Sequence, residues 1–207
     1  GPDIGKARSS AKIETDFGGF SGSNTMLRIR QAYVNLDWGK SAVLVGITWH
    51  PLFGAVMPDV LNLSTGAPFQ PFNRSPQIRY QYKANSRVQL TASVLWQLQY
   101  LSSGPKGMSE DYIKNSCIPE MFVGADFTPA DGWLMGLGAH MISLKPRTST
   151  EWKEQTFKVN ERMTAFSYEA HLKYSGRNYT FAAKTLMASA LDHTALLGGY
   201  GVSSVDS

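Results

Sequence analysis

The sequence predicts an all-β fold, namely about nine strands of a transmembrane antiparallel up-and-down β-barrel. Apolar and polar residues alternate with a period of two in one segment after another, most clearly over residues 88–100. From residue 42 onward the apolar side of these segments carries no charged residue, when the segment at 162–174 is counted from Phe166. The connections between segments are alternately short and long. These observations favour a barrel whose apolar face meets lipid and whose polar face surrounds water.

The alternation places predicted strands at residues 11–20, 26–38, 42–50, 76–82, 88–100, 117–127, 133–144, 162–174 and 179–189. The second of these breaks its own pattern, because Leu27 and Ile29 share one parity and Val34 has the other. A single inserted residue would restore one apolar face. A β-bulge is therefore predicted near Arg30 and Gln31.

The connections divide into two classes. Turn-rich short ones are residues 39–41, 83–87, 128–132 and 175–178, and the long ones are 51–75, 101–116 and 145–161. Such an arrangement has one end with tight turns and one end with elaborate loops. It is typical of outer-membrane barrels, which have short periplasmic turns and longer extracellular loops.

The polar parity lacks the dense lysine and glutamate of a soluble exterior, which suits a water-filled lumen. The predicted lumen wall includes Gln89, Gln97, Gln99, His140 and Glu169. On the apolar parity, bulky aromatic residues gather near strand ends, as in the interfacial girdle of a membrane barrel. Within residues 88–100, this assigns Trp96 and Tyr100 to the outer interface.

The composition narrows the function classes. A chain of 207 residues with 43% hydrophobic and 17% charged residues fits one β-barrel segment covering residues 1–207. The net charge of +4 is mild and is not concentrated in a basic run, so no nucleic-acid partner is expected. Cys117 is the only cysteine, which leaves no internal disulfide and no cysteine metal site.

Inward-facing cations are the candidate selectivity residues. Arg28 and Arg30 lie two residues apart on one face, and Arg79 lies two strands away. With Lys184, they would line the channel and attract anionic solutes. The alternative is that the arginines pair with lumen carboxylates and only stabilise the wall, and the sequence does not separate the two interpretations.

The connection at residues 51–74 is too apolar for a freely solvated loop. It is predicted either to fold into the lumen as a constriction or to contact a neighbouring subunit. Asp59 and Arg74 are its only charged residues, which makes them the expected polar contacts at a constriction.

The four histidines, His50, His140, His171 and His193, lie on separate segments without a metal-ligand spacing. No spacing marks a catalytic nucleophile either. The sequence therefore predicts no metal, no cofactor and no enzymatic activity.

Several short motifs resemble one known family. They are an Arg-x-Arg-x-Ala-Tyr-Val strand at residues 28–34, a Gly-x-Thr-Trp strand end at 46–49, a Pro-Asp pair at 58–59 and a Gln-x-Arg-Tyr strand at 77–80. With these motifs the chain resembles trimeric bacterial outer-membrane porins of the DcaP-like kind, most of all those of Bacteroidetes.

The resemblance implies a homotrimer in the bacterial outer membrane, with about sixteen strands in each barrel. It also implies passage of small hydrophilic, often anionic solutes past inward arginines, here Arg28, Arg30, Arg79 and Arg74. The present strands would then be the N-terminal portion of a larger barrel. Two other hypotheses are a scaffolding barrel in an outer-membrane complex and a soluble ligand-binding β-barrel.

Overall fold

The computed structural model describes residues 3–21, 24–54, 56 and 70–196. Its strands are β1 (Asp3–Ile4), β2 (Ala7–Ser21), β3 (Asn24–Asp37), β4 (Ser41–Trp49), β5 (Arg74–Lys83), β6 (Val88–Leu95), β7 (Ser103–Gly104), β8 (Gly107–Met108), β9 (Glu120–Phe127), β10 (Trp133–Leu144), β11 (Ser149–Trp152), β12 (Gln155–Lys158), β13 (Met163–Ser175) and β14 (Thr180–Met187). Helix α1 is Asp111–Ser116, and 3₁₀ turns cover Pro51–Phe53 and Asp192–Thr194.

Ten of the strands form a single antiparallel sheet in the order β1-β2-β3-β4-β5-β6-β9-β10-β13-β14. Each strand pairs with the next long strand of the chain, as in an up-and-down meander. All nine predicted strands are present, and the all-β antiparallel prediction is confirmed. Within the described residues the sheet is open, with β1 and β14 as its edges, and it is not closed into a barrel.

The two faces of the sheet differ in which side chains they bury and which they expose. Large apolar side chains are exposed on one face, including Val45, Ile78, Val123, Leu137 and Phe166. The opposite face buries polar side chains, including Gln77, Ser93, Glu120, Ser167 and Glu169. A soluble sheet has the reverse arrangement, since it hides its apolar face and wets its polar one.

The predicted β-bulge is confirmed. Gln31 of β3 pairs with Glu14 of β2, and Ile29 pairs with Thr15, so Arg30 is the extra residue. Because the bulge shifts the parity by one, Arg30 and Gln31 both lie on the polar side, while Ile29 is exposed.

Strand β6 is shorter than predicted, because it ends at Leu95 rather than at residue 100. The main-chain nitrogen of Trp96 donates to the Pro76 oxygen at 2.9 Å. Proline has no N–H to complete the reciprocal hydrogen bond of this antiparallel pair, so the ladder stops here. Beyond this point Trp96 packs against a buried apolar cluster, contrary to its predicted place at an outer interface.

The long connections contain structure that the alternation did not predict. Residues 101–116 hold the β7–β8 hairpin and α1, and residues 145–161 hold the β11–β12 hairpin. Helix α1 packs Tyr112 and Ile113 against Ile142 and Leu144 on the polar side of the sheet. Helix α1 therefore covers part of the polar face of the sheet. In the described part of the chain, no helix is long and apolar enough to span a membrane.

Candidate functional site

The arginines of β3 form a ladder of ion pairs with the acids of β2. Arg28 Nη2 lies 2.7 Å from Asp16 Oδ2, and Arg30 Nη1 lies 2.9 Å from the same oxygen. Arg30 Nε also donates to Glu14 Oε1 at 2.7 Å. Gln31 Nε2 donates to the other oxygen of Glu14 at 2.7 Å. The structure therefore supports the second interpretation of these arginines, in which they pair with carboxylates.

Arg79 differs, since no carboxylate pairs with it among the residues that the structure describes. Its Nη2 donates to the main-chain oxygen of Trp49 at 2.6 Å and to Gln77 Oε1 at 2.8 Å. Both acceptors are uncharged, so the positive charge of Arg79 is not neutralised by a direct contact. This cation keeps the long-range attraction for anions that Arg28 and Arg30 lose by pairing.

A cavity of about 420 Å³ lies on the polar face beside Arg79. Its polar lining comes from β3, β4, β5, β6, β9 and β13, with His50 at the end of β4, and comprises Gln31, Tyr33, Thr48, His50, Arg79, Gln81, Gln89, Thr91, Asp126, Glu169 and His171. Gln89, a predicted lumen-wall residue, lines this cavity. Six strands contribute side chains, so the cavity belongs to the sheet as a whole.

His171 lies between two carboxylates at the edge of this cavity. Its Nε2 is 3.1 Å from Asp126 Oδ1, and its Nδ1 is 3.1 Å from Glu169 Oε2. Gly136 makes room for the ring, because a Cβ there would lie 2.3 Å from His171 Cε1. Glu169, predicted as lumen wall, is thus a buried partner of a histidine rather than an isolated acid.

Arg74 lies in a box of aromatic rings and is only 1% exposed. Its guanidinium carbon is 5.2 Å from the ring centre of Trp49 and 6.0 Å from those of Phe72 and Tyr100. One nitrogen, Nη2, donates to the Tyr100 hydroxyl at 2.9 Å. Asp59, the other predicted charge of the constriction, lies outside the described residues.

Lys184 of β14 holds the turn after β4. Its Nζ donates to the main-chain oxygens of Leu52 and Phe53, the second at 3.2 Å. In a flat sheet, six strand spacings of about 4.8 Å would separate β4 and β14 by about 29 Å. The contact therefore requires the turn to lie across the polar face of a curved sheet. Gln99, by contrast, is exposed beyond the end of β6 and donates to the Ile29 oxygen at 2.7 Å.

The most deeply buried polar group is a cluster around Glu120, the first residue of β9. The Nε2 atoms of His50, His140 and His193 lie 3.3, 3.2 and 3.1 Å from Glu120 Oε2. The remaining oxygen, Oε1, accepts from Gln97 Nε2 at 2.9 Å. All five residues are at most 2% exposed. Gln97 and His140, both predicted for the lumen wall, therefore belong to an enclosed polar core.

The two histidines of this cluster that lie outside the strands have opposite pKa shifts. Burial lowers the pKa of His50 to about 4, against the opposing effect of Glu120. Burial also acts to lower the pKa of His193, but attraction to Glu120 outweighs it and the pKa is raised. The His50 Nδ1 accepts from the Leu52 N–H at 3.2 Å, so the ring proton of neutral His50 is on Nε2 and points at Glu120.

Sequence spacing missed this cluster because its five members come from five separate segments of the chain. A partial signal was present, since Glu120 and His140 share the inward parity of the adjacent strands β9 and β10. His50 ends a predicted strand and precedes the 3₁₀ turn Pro51–Phe53, and His193 lies in the turn Asp192–Thr194; the alternation predicts neither turn. No protein-family model matches the chain, and a search of curated proteins finds no match.

Proposed function

We propose that this chain forms part of the wall of a β-barrel channel in the bacterial outer membrane, through which small hydrophilic solutes diffuse passively. The observation that supports the proposal best is the inverted sheet. Val123 and Leu137 are 58% and 67% exposed, whereas Glu120 and His140 on the other face are 1% exposed. Such a sheet is costly in water and favourable in lipid, where the apolar face is covered by acyl chains.

The polar cavity supports an open channel rather than a barrel whose lumen is occluded. It is lined by amide, hydroxyl and ionisable side chains from six strands, and these replace the hydration shell of a passing solute in part. A narrow, partly desolvated passage strengthens each charge interaction. The sign of the charges that remain unpaired there therefore determines the preference for cations or anions.

We propose that Arg79, and not the pair Arg28 and Arg30, supplies the preference for anionic solutes. Arg28 and Arg30 lie within 2.9 Å of Asp16 or Glu14, so that ladder has little net charge. Arg79 donates only to uncharged oxygens and lines the cavity. Assembly as a homotrimer follows from the resemblance to DcaP-like porins alone.

Single-channel recording of the full-length protein in a planar bilayer tests this function. An open barrel gives a steady conductance, with a reversal potential in a salt gradient that indicates anion preference. Arg79→Gln is expected to reduce this preference. The matched control is the double variant Arg28→Gln with Asp16→Asn, which removes the ion pairs of Asp16 with Arg28 and Arg30 without changing the net charge. Arg30 keeps its ion pair with Glu14, so the reversal potential is expected to stay unchanged.

The proposal is contradicted if a folded, lipid-inserted protein conducts no ions. That result would favour the second candidate function, a scaffolding barrel in an outer-membrane complex. One observation supports this alternative: α1 and the Glu120 cluster fill part of the polar face. Co-purification of stoichiometric partner proteins with a non-conducting barrel would then be expected.

A further inference from the structure

The cluster around Glu120 is not used by the proposed channel, because none of its side chains is accessible to a solute. His50 follows β4, Glu120 begins β9, and His140 lies within β10. The ligand atoms of these three residues all lie within 4.8 Å of one another. His193 adds a third imidazole, whose Nε2 lies 3.1 Å from the Glu120 carboxylate oxygen but outside this group of three, since its ring centre is 6.3 Å from that of His50. Few arrangements place so many metal-binding atoms in so small and dry a space.

We propose that His50, Glu120, His140 and His193 form a structural site for a divalent transition-metal ion, with Zn²⁺ as the best match. Imidazole nitrogens and a carboxylate are ligands that Zn²⁺ prefers, at about 2.0–2.1 Å. In a tetrahedral site of that radius, neighbouring ligand atoms are about 3.3–3.4 Å apart. The His50 and His140 Nε2 atoms lie 3.3 and 3.2 Å from Glu120 Oε2, close to this separation.

Hydrogen bonding alone does not satisfy the cluster. A carboxylate oxygen offers about two lone pairs. Three imidazole nitrogens converge on Oε2, while Oε1 is already taken by Gln97. A cation between the four side chains would make each converging atom a ligand instead of leaving donors in competition for one acceptor.

The carboxylate is also held as metal-binding carboxylates usually are, by an outer layer of hydrogen bonds. Gln97 Nε2 donates to Glu120 Oε1 at 2.9 Å and to Ser102 Oγ at 2.8 Å. The Ser102 N–H returns a hydrogen bond to Gln97 Oε1 at 2.9 Å. Gln97 is thereby fixed in orientation, and Glu120 is turned with its free oxygen towards the histidines.

Metal binding has a structural consequence at the turn after β4. Coordination through Nε2 places the ring proton of His50 on Nδ1, at which the Leu52 N–H now points from 3.2 Å. Two N–H groups cannot face each other at that distance, so the turn Pro51–Phe53 must shift. Lys184 binds this same turn, and the site therefore connects β4, β9, β10, β14 and the turn Asp192–Thr194.

Movement of His193 towards the other three ligands would complete a closed four-ligand site with no open position for a substrate, which is the arrangement of structural zinc sites. The expected effect is stabilisation, because an ion that binds the folded state alone raises the unfolding temperature by mass action. The channel conductance is not expected to depend on the ion directly, and the site is independent of the proposed function.

The test uses untagged full-length protein, stripped with a chelator and titrated with Zn²⁺ in a calorimeter. The expected result is one ion per chain and a higher unfolding temperature after loading. Glu120→Gln keeps the size of the side chain and one acceptor oxygen but removes its charge, and is expected to lose the ion. His171→Gln, which alters a histidine outside the cluster, is the matched control and is expected to retain it.

If Glu120→Gln does not fold, the metal content of the wild-type protein still tests the proposal. The stripped wild-type protein should also take up one Co²⁺ with a tetrahedral absorption spectrum. Absence of stoichiometric Zn²⁺ and Co²⁺ uptake by the folded wild-type protein would overturn the site and leave a hydrogen-bonded cluster. Equal uptake by wild type and Glu120→Gln would overturn it as well. Conductance is recorded separately, so failure of the channel and failure of the metal site are distinguishable.

Discussion

A charged residue placed on the exposed apolar face changes the free energy of unfolding by very different amounts if that face meets lipid or water. Val123 lies in the middle of β9 and is 58% exposed. Its cross-strand partners are Ala92 and Ala139, so an arginine has room and steric overlap does not contribute. In Val123→Arg the cost therefore depends on the medium alone.

In water, a surface substitution of this kind changes the free energy of unfolding by only about 0.5 kcal/mol. Facing lipid near the midplane, an arginine on a barrel costs about 2–4 kcal/mol. That cost lowers the folding equilibrium constant roughly 30- to 900-fold. The assay is reversible unfolding of the full-length protein from lipid bilayers by denaturant, followed by tryptophan fluorescence.

The matched control is Gln89→Arg, which adds the same charge on the polar face of the neighbouring strand. Gln89 lines the cavity and pairs with Asp126 across the strands, so the new cation gains an acidic neighbour. Its expected effect on the free energy of unfolding is within about 0.5 kcal/mol. Equal, small effects of Val123→Arg and Gln89→Arg would refute the assignment of the apolar face to lipid.

Three further substitutions test how the sheet is built. Ile142→Ala removes a fully buried side chain beneath α1 and should lower the free energy of unfolding by about 2–5 kcal/mol in the same denaturant assay; a negligible change would show that α1 does not pack there. Gly46 has φ +136°, and a Cβ there would lie 2.2 Å from the Ala32 oxygen, so Gly46→Ala should cost about 1–3 kcal/mol or more; wild-type stability would contradict this backbone. Lys184→Met removes both hydrogen bonds to the turn Pro51–Phe53 and should speed amide hydrogen exchange at that turn, whereas unchanged exchange would show that Lys184 does not hold it.

Local patterns were sufficient for most of the sheet. Alternation depends only on neighbouring residues, and it predicted the nine long strands and the break at Arg30. It did not predict the second irregularity of the same strand pair, between Asp16 and Gly19. The end of β6 was missed because it depends on Pro76 in the adjacent strand, which denies Trp96 its return hydrogen bond. A residue in one strand can therefore end another, and no pattern within residues 88–100 contains that information.

The site was less accessible to sequence reasoning because charge pairing and burial depend on the tertiary structure. Parity alone showed that Arg28 and Arg30 face inward, but it did not decide between attraction of solutes and pairing with Glu14 and Asp16. Helix α1 has six residues, too few for a helical period to emerge. The polar side that it covers was consequently predicted to be open to water.

The assignment of the apolar face of the sheet to lipid is tested most directly by the accessibility of spin labels along β10 in lipid bilayers. Each residue from Trp133 to Leu144 is labelled in turn as a single cysteine, with Cys117 replaced by serine. We expect a period of two, in which labels at Met135, Leu137 and Met141 collide with lipid-dissolved oxygen and labels on the other parity do not. Maximal collision of the Leu137 parity with a water-soluble relaxation agent would contradict it.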